Sequence, residues 1–233
     1  MTISEMRSPQ DAEGVLLRAL GRRLIDEDAQ NIQLSQHLHK DIAGGLVACT
    51  SLSEMIRHEL SRSKNGADVT DMHARLDAAL RQTLGVMRDM TEQLFPPALK
   101  VFGLNAALQQ LVRGLTEDFA GSLVLHIEGN EPVLSLPDRL NLYRIMEGIL
   151  RLCTRGGSAS WLEMKCQVRD GQIEVTIDHD GSHNFGTDGG SDTDLAVVEA
   201  RCSMFASQLD ISPAGTGRHS RISLRVTPPG SLS

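Results

Sequence analysis

From residue 11 to residue 63 the chain has no proline, and apolar residues recur through it at helical spacing: Leu16, Leu20 and Leu24, then Leu34, Leu38, Ile42 and Leu46. The second set steps by four and draws one stripe along a helix. Residues 26–30 interrupt the pattern, so one long helix and two shorter ones both fit it. Ser63-Lys64-Asn65-Gly66 is a turn cluster. A second long helix is predicted from Ala67 to Leu94, carrying Val69, Leu76, Leu80, Thr83, Met87, Met90 and Leu94 mostly at alternating steps of three and four. Pro96-Pro97 stops it, because proline lacks the donor that a helix interior needs. Two such helices make an antiparallel hairpin. A lone hairpin leaves part of each stripe wet, and pairing two hairpins into a four-helix bundle would cover it, so a homodimer is expected.

Beyond Pro97 the pattern changes. Residues 104–119 read as a helix and 122–128 alternate like a strand. Residues 138–154 read as an apolar helix opened by Leu136-Pro137-Asp138. Leu162, Met164, Cys166 and Val168 alternate, as do Ile173, Val175 and Ile177, which predicts a hairpin turning at Arg169-Asp170-Gly171. Residues 185–193 read as loop and 195–208 as helix. Residues 209–211 and 222–226 would be closing strands. The expected class is therefore α+β: a tail at 1–10, a helical hairpin at 11–100, and at 101–233 a domain with helices on one face of a mixed sheet.

The balance of residue types fits this plan. Apolar residues make up 40% of the 233 and charged residues 23%, while aromatics are only 3%, so the core must rest on Leu, Ile, Val, Met and Ala. The net charge of −7 argues against nucleic acid as the main partner, since phosphate binding needs concentrated Lys and Arg. No apolar run reaches the length of a membrane span. The first residues lack the layout of a secretory signal, so a cytoplasmic location is expected. Cys49, Cys153, Cys166 and Cys202 are scattered and read as four buried thiols.

Residues 36–46, QHLHKDIAGGL, and 86–108, VMRDMTEQLFPPALKVFGLNAAL, resemble the dimerisation and phosphoacceptor domain of the nitrate-sensor and DesK-like class of histidine kinases. In the second stretch Leu94, Pro96, Pro97, Leu99, Gly103, Leu104, Ala107 and Leu108 match that family in spacing across a helix break. Residues 140–150, LNLYRIMEGIL, then resemble the start of its ATP-binding domain. The resemblance implies a C-terminal α/β sandwich of the histidine-kinase ATPase type, and it places the phosphoacceptor on His39. Phosphoryl transfer to histidine needs a neutral imidazole with one nitrogen free to attack in line. His37 is the rival acceptor, turned about 160° away around the helix. Ser35 and Ala43 are small helical neighbours of His39, and Gly44 and Gly45 follow it. Two glycines inside a helix cost roughly 1 kcal/mol each relative to alanine. Clearance for a partner's backbone would be the reason to keep them, so these four residues are candidate docking positions.

The departures from the family carry as much weight. The acid after the family's histidine, its base for autophosphorylation, is Lys40 here. Its glutamine five residues after the histidine, associated with dephosphorylation, is Gly44. A cation at Lys40 would instead favour a phosphoryl group or an acidic partner pocket. The Mg²⁺-binding asparagine falls on Arg151 and the following histidine on Arg155, beside a family-type glutamate at Glu147. The adenine aspartate falls on His179 and the second glycine of that box on His183, although Asp178 and Asp180 flank His179. The next glycine box carries Asp192 and Asp194, and the later glycine pair reads Ser207-Gln208. Only Gly215-Thr216-Gly217 resembles the closing turn. No bound nucleotide and no metal of the chain's own is therefore expected, and Mg²⁺ would arrive with a partner receiver domain. The resemblance implies a histidine phosphotransferase working with response-regulator receivers, and with an upstream histidine kinase as a further candidate partner. A non-catalytic adaptor or inhibitor and a divergent active kinase are the other two readings.

Overall fold

In the computed structural model of this chain, residues 9–61, 67–155, 159–181, 191–212 and 220–227 are described. They fall into two compact units. One is Asp28–Pro97. The other joins the residues up to Glu27 with those from Ala98 onward, so one boundary lies inside the first helix. The expected division at 100/101 had placed residues 11–27 with the hairpin instead.

Helix α1 (Pro9–His37) does not break at residues 26–30. It runs through a π-helical segment (Leu38–Ala43) into α2 (Gly44–Ser61). Helix α3 (Ala67–Leu94) completes a helical hairpin with α2. Between these two helices, buried Ser53 and His73 join through Oγ and Nε2 at 2.8 Å, and Nε2 also meets the Ser53 carbonyl. Arg81 spans from Asp77 to Glu54, at 2.8 Å to each. The last bond of α3 runs from Phe95 N–H to the Thr91 carbonyl; Pro96 can donate none.

A short helix α4 (Pro97–Val101), not anticipated from the sequence, leads into α5 (Leu104–Asp118). This junction accounts for the Leu-x-x-x-Gly-Leu spacing. Leu99, Leu104, Ala107 and Leu108 are all fully buried. Gly103 has φ +87°, a conformation open to glycine, and a side chain there would strike Glu131. The Glu131 carboxylate accepts from the Leu104 N–H at 2.8 Å and so caps α5.

Strand β1 (Ser122–Glu128) pairs parallel with β2 (Trp161–Arg169). The rest of the sheet is antiparallel, adding β3 (Gln172–His179), β4 (Ala206–Ser212) and β5 (Ser220–Thr227) in the order β1-β2-β3-β5-β4. The predicted β2–β3 turn is present, with Asp170 and Gly171 both at positive φ. Met164, Ile177 and Ile222 lie across from one another on one face, as do Cys166, Val175 and Leu224, and all are buried. The other face is polar, as in an antiparallel sheet solvated on one side. Helix α6 (Leu136–Arg155) supplies much of the core through Leu142, Ile145, Met146, Ile149 and Leu150. Each such burial is worth about 1.5–3 kcal/mol relative to exposure. Ser135 caps α6 by accepting the Asp138 N–H.

Helix α7 (Ser191–Cys202) ends six residues earlier than the sequence pattern predicts, and β4 takes up residues 206–208. The Ser207 hydroxyl donates to the Cys202 carbonyl and closes that end. The predicted loop at 185–193 lies mostly outside the described residues, as do His183 and the Gly215-Thr216-Gly217 turn.

Candidate functional site

His39 lies on the π segment and is exposed, with Lys40 exposed beside it. A π turn closes i→i+5 bonds and holds one residue more than an α turn; such turns recur at functional sites. Gly44 and Gly45, directly after it, are exposed, and a side chain built at either would meet nothing within 4 Å. The chain's own packing therefore gives no reason for two glycines here. Ala43 is half-buried. Ser35, expected on the same docking surface, is buried instead. Four residues apart, Ser35 and His39 would share a face of a regular α-helix; the π turn separates them. His37 is exposed too, so burial does not distinguish the two imidazoles.

The nucleotide-type positions lie in the other unit. Glu147 accepts from Arg144 at 2.6 Å and from Arg151 at 2.9 Å. Burial pushes its carboxyl upward, but the two guanidinium groups outweigh that and hold it below the usual range. Arg151 thus closes back onto its own helix. It also lines a cleft of about 370 Å³ with Leu115, Asp118, Phe119 and Thr154.

His179 is 1% exposed and sits on the core face of the sheet, across from Leu162 and Ser220. Its Nδ1 accepts the Gly181 N–H at 3.1 Å, and burial lowers its pKa, so the ring is neutral at pH 7. Both flanking acids have partners within this unit. Asp178 holds Arg221 through two bonds, at 2.6 and 3.0 Å. Asp180 accepts from the Ser160 hydroxyl and from the backbone N–H groups of Ser160 and Trp161, at 2.6, 2.8 and 2.9 Å. Those bonds, the Ser160 hydroxyl foremost, bring its pKa down to about 2. Asp194 is exposed; the side chain of Asp192 lies outside the described set.

The thiols differ from expectation at one place. Cys49 is exposed, whereas Cys153, Cys166 and Cys202 are buried, and burial raises them to about 12, 11 and 12. Sequence reasoning missed both the π turn and the Arg144–Glu147–Arg151 pairing. The i, i+3 and i, i+4 spacing of the second was readable in RIMEGILR. The first left no signal in residue type beyond the two glycines.

No family model matches the sequence, and no curated protein matches it. Among solved structures the chain is similar to histidine kinase domains. One is that of the blue-light activated histidine kinase of Erythrobacter litoralis, at 13% identity and TM-score 0.46, over 77% of this chain and 96% of that one. Another is the histidine kinase AdeS of Acinetobacter baumannii, at 15% and 0.43, over 76% and 96%. A third is the ATP-binding domain of PrrB from Mycobacterium tuberculosis, at 17% and 0.39, over 53% and 92%.

Proposed function

We propose that this chain is a histidine phosphotransferase-like element of two-component signalling, which accepts a phosphoryl group on His39 from a response-regulator receiver domain and passes it on without binding ATP. In the transfer the P–O bond of the receiver's aspartyl phosphate breaks as a P–N bond forms to the His39 ring. The aspartate leaves as carboxylate, and the reverse step regenerates the imidazole. Mg²⁺ would come with the receiver. Among the described residues no group of three or more His, Cys, Asp or Glu is arranged to hold a metal.

One observation carries the reading: the histidine of the phosphoacceptor-like box stands open, while Arg151, Asp178 and Asp180 are all engaged in contacts within their own unit. Lys40 beside His39 adds a cation where a phosphoryl group would sit. The exposed apolar side chains of the hairpin, Leu76 and Met90 among them, support the homodimer. Among the described residues no helix is long and apolar enough to cross a membrane.

The test is a transfer assay with a phosphorylated receiver. Acid-labile label should pass to the wild-type chain and not to His39→Ala. Labelling by ATP alone would select a divergent active kinase. Receiver binding without label, unchanged in His39→Ala, would select an adaptor.

A further inference from the structure

Before the π segment the covered side of α1 runs through Asp28, Asn31, Ser35 and Leu38, in steps of three and four. Continued as α-helix, that stripe would pass through Ile42, Gly45, Cys49 and Leu52. All four are exposed, Ile42 at 45% and Leu52 at 59%. The covered positions are instead Ala43, Leu46, Thr50 and Ser53, each one residue later. The π turn is that additional residue. It offsets the flanking helices by one position, or about 100° of rotation.

The offset decides where His39 faces. Extended backward by the same steps, the downstream stripe of Ser53, Thr50, Leu46 and Ala43 arrives at His39. A continuous α-helix in that frame would place the imidazole on the covered side. It is exposed because it lies within the turn itself. The turn also sits beside Gly44 and Gly45, where helix propensity is lower by about 1 kcal/mol per glycine relative to alanine, so the frame defect rests next to the weakest stretch of the helix.

We propose that the π turn is a register device that presents His39: held at Leu38–Ala43 it keeps the imidazole in solvent, and moved one turn toward the N-terminus it withdraws the ring onto the covered stripe. Its purpose rests on the phosphotransfer reading; its geometry does not. Partner binding or an input on α1 would regulate transfer by shifting the turn.

Deleting Gln36 tests this in the full chain. The deletion makes Asp28, Asn31, Ser35, His39, Ala43 and Leu46 one unbroken stripe, whereas Gln36→Ala loses the same side chain and keeps the length. Diethyl pyrocarbonate modification of His39, resolved from His37 by mass spectrometry, should fall at least tenfold in the deletion and stay at the wild-type rate in Gln36→Ala. A folded deletion variant with His39 still reactive would overturn the proposal. Amide exchange in the wild-type chain tests it without a variant: residues 38–45 should exchange faster than either flanking turn, and uniform protection from residue 30 to 55 would also overturn it. Neither readout needs a receiver. A chain that takes no phosphoryl group but buries His39 on deletion would refute the function and leave the register device standing.

Discussion

The two units place their apolar side chains in opposite ways. In the sheet-bearing unit Leu142, Ile145, Met164, Ile177 and Leu224 are fully buried, and the outward strand positions carry Lys165, Glu174, Arg221 and Arg225. In the hairpin unit the covered positions include polar Ser35, Ser53, His73 and Thr91 beside Leu84 and Phe95, while Leu34, Leu52, Met72, Leu76 and Met90 lie outside. The first unit encloses a core of its own. The second leaves a larger share of its apolar side chains at the surface. The polar contacts differ as well: Ser53 and His73 join across the hairpin, whereas Glu147, Asp178 and Asp180 are engaged within the sheet-bearing unit.

The comparison breaks most readily in the core. Leu142→Ala removes a side chain with 0% exposure and should destabilise by about 2–5 kcal/mol, whatever the protein concentration. Leu76→Ala removes one that is 52% exposed. In dilute protein it should lie within about 0.5 kcal/mol of wild type. If two chains share the bundle, its penalty grows as concentration rises. Thermal melts across a hundredfold range of concentration check both. A Leu76→Ala penalty as large and as constant as that of Leu142→Ala would show that the hairpin is closed by its own chain.

Much of this contrast was legible beforehand. The unbroken helical period, the Pro96-Pro97 stop and the alternation in β2 and β3 each follow from local rules, and they locate both units. The step of four through Leu34, Leu38, Ile42 and Leu46 misled: upstream the covered stripe takes Asn31 and Ser35 rather than Leu34, and a period read by fours cannot register the one residue inserted before Ala43, so the structure leaves Leu34 and Ile42 exposed. Cys49 was read as buried from its residue type and isolated position alone, and the structure leaves it exposed. The end of α7 was missed because residues 203–208 fit a helical pattern as well as a strand, and a side-chain cap at Cys202 decides between them. At the nucleotide-type positions the sequence showed which residues stand there. It did not show that Asp180 is fixed to Ser160 and Trp161, since that contact joins residues 19 and 20 apart through backbone donors.

That anchor sharpens the view of the sheet-bearing unit through pH. The carboxyl of Asp180 is held at about 2 against an ordinary 3.8. A depressed folded-state pKa contributes stability that is present above the unfolded value and lost as pH falls through the folded one. Wild type should therefore exceed Asp180→Asn in stability above about pH 4, and the gap should close as pH drops toward 2. The hairpin has no carboxylate so strongly shifted among its described residues, so an acid titration should loosen the Ser160–Trp161 loop while helical content holds. A gap that stays constant down to pH 2 would mean the hydrogen bonds act without the charge.

The smallest effect concerns the polar face of the sheet. Glu174 and Arg225 stand opposite each other on β3 and β5, 3.2 Å apart, with both side chains about half exposed. In high dielectric such a pair gains little and must order two long side chains, so a double-mutant cycle with alanine should give a coupling of about 0.2–0.5 kcal/mol at low salt, vanishing at 1 M. Asp178 and Arg221, four residues along, make a two-bond contact in which the acid is 13% exposed, and their coupling should be larger and resist salt better. Equal couplings would mean that this face is uniformly solvated. Unequal ones would make the pair beside His179 the tighter of the two.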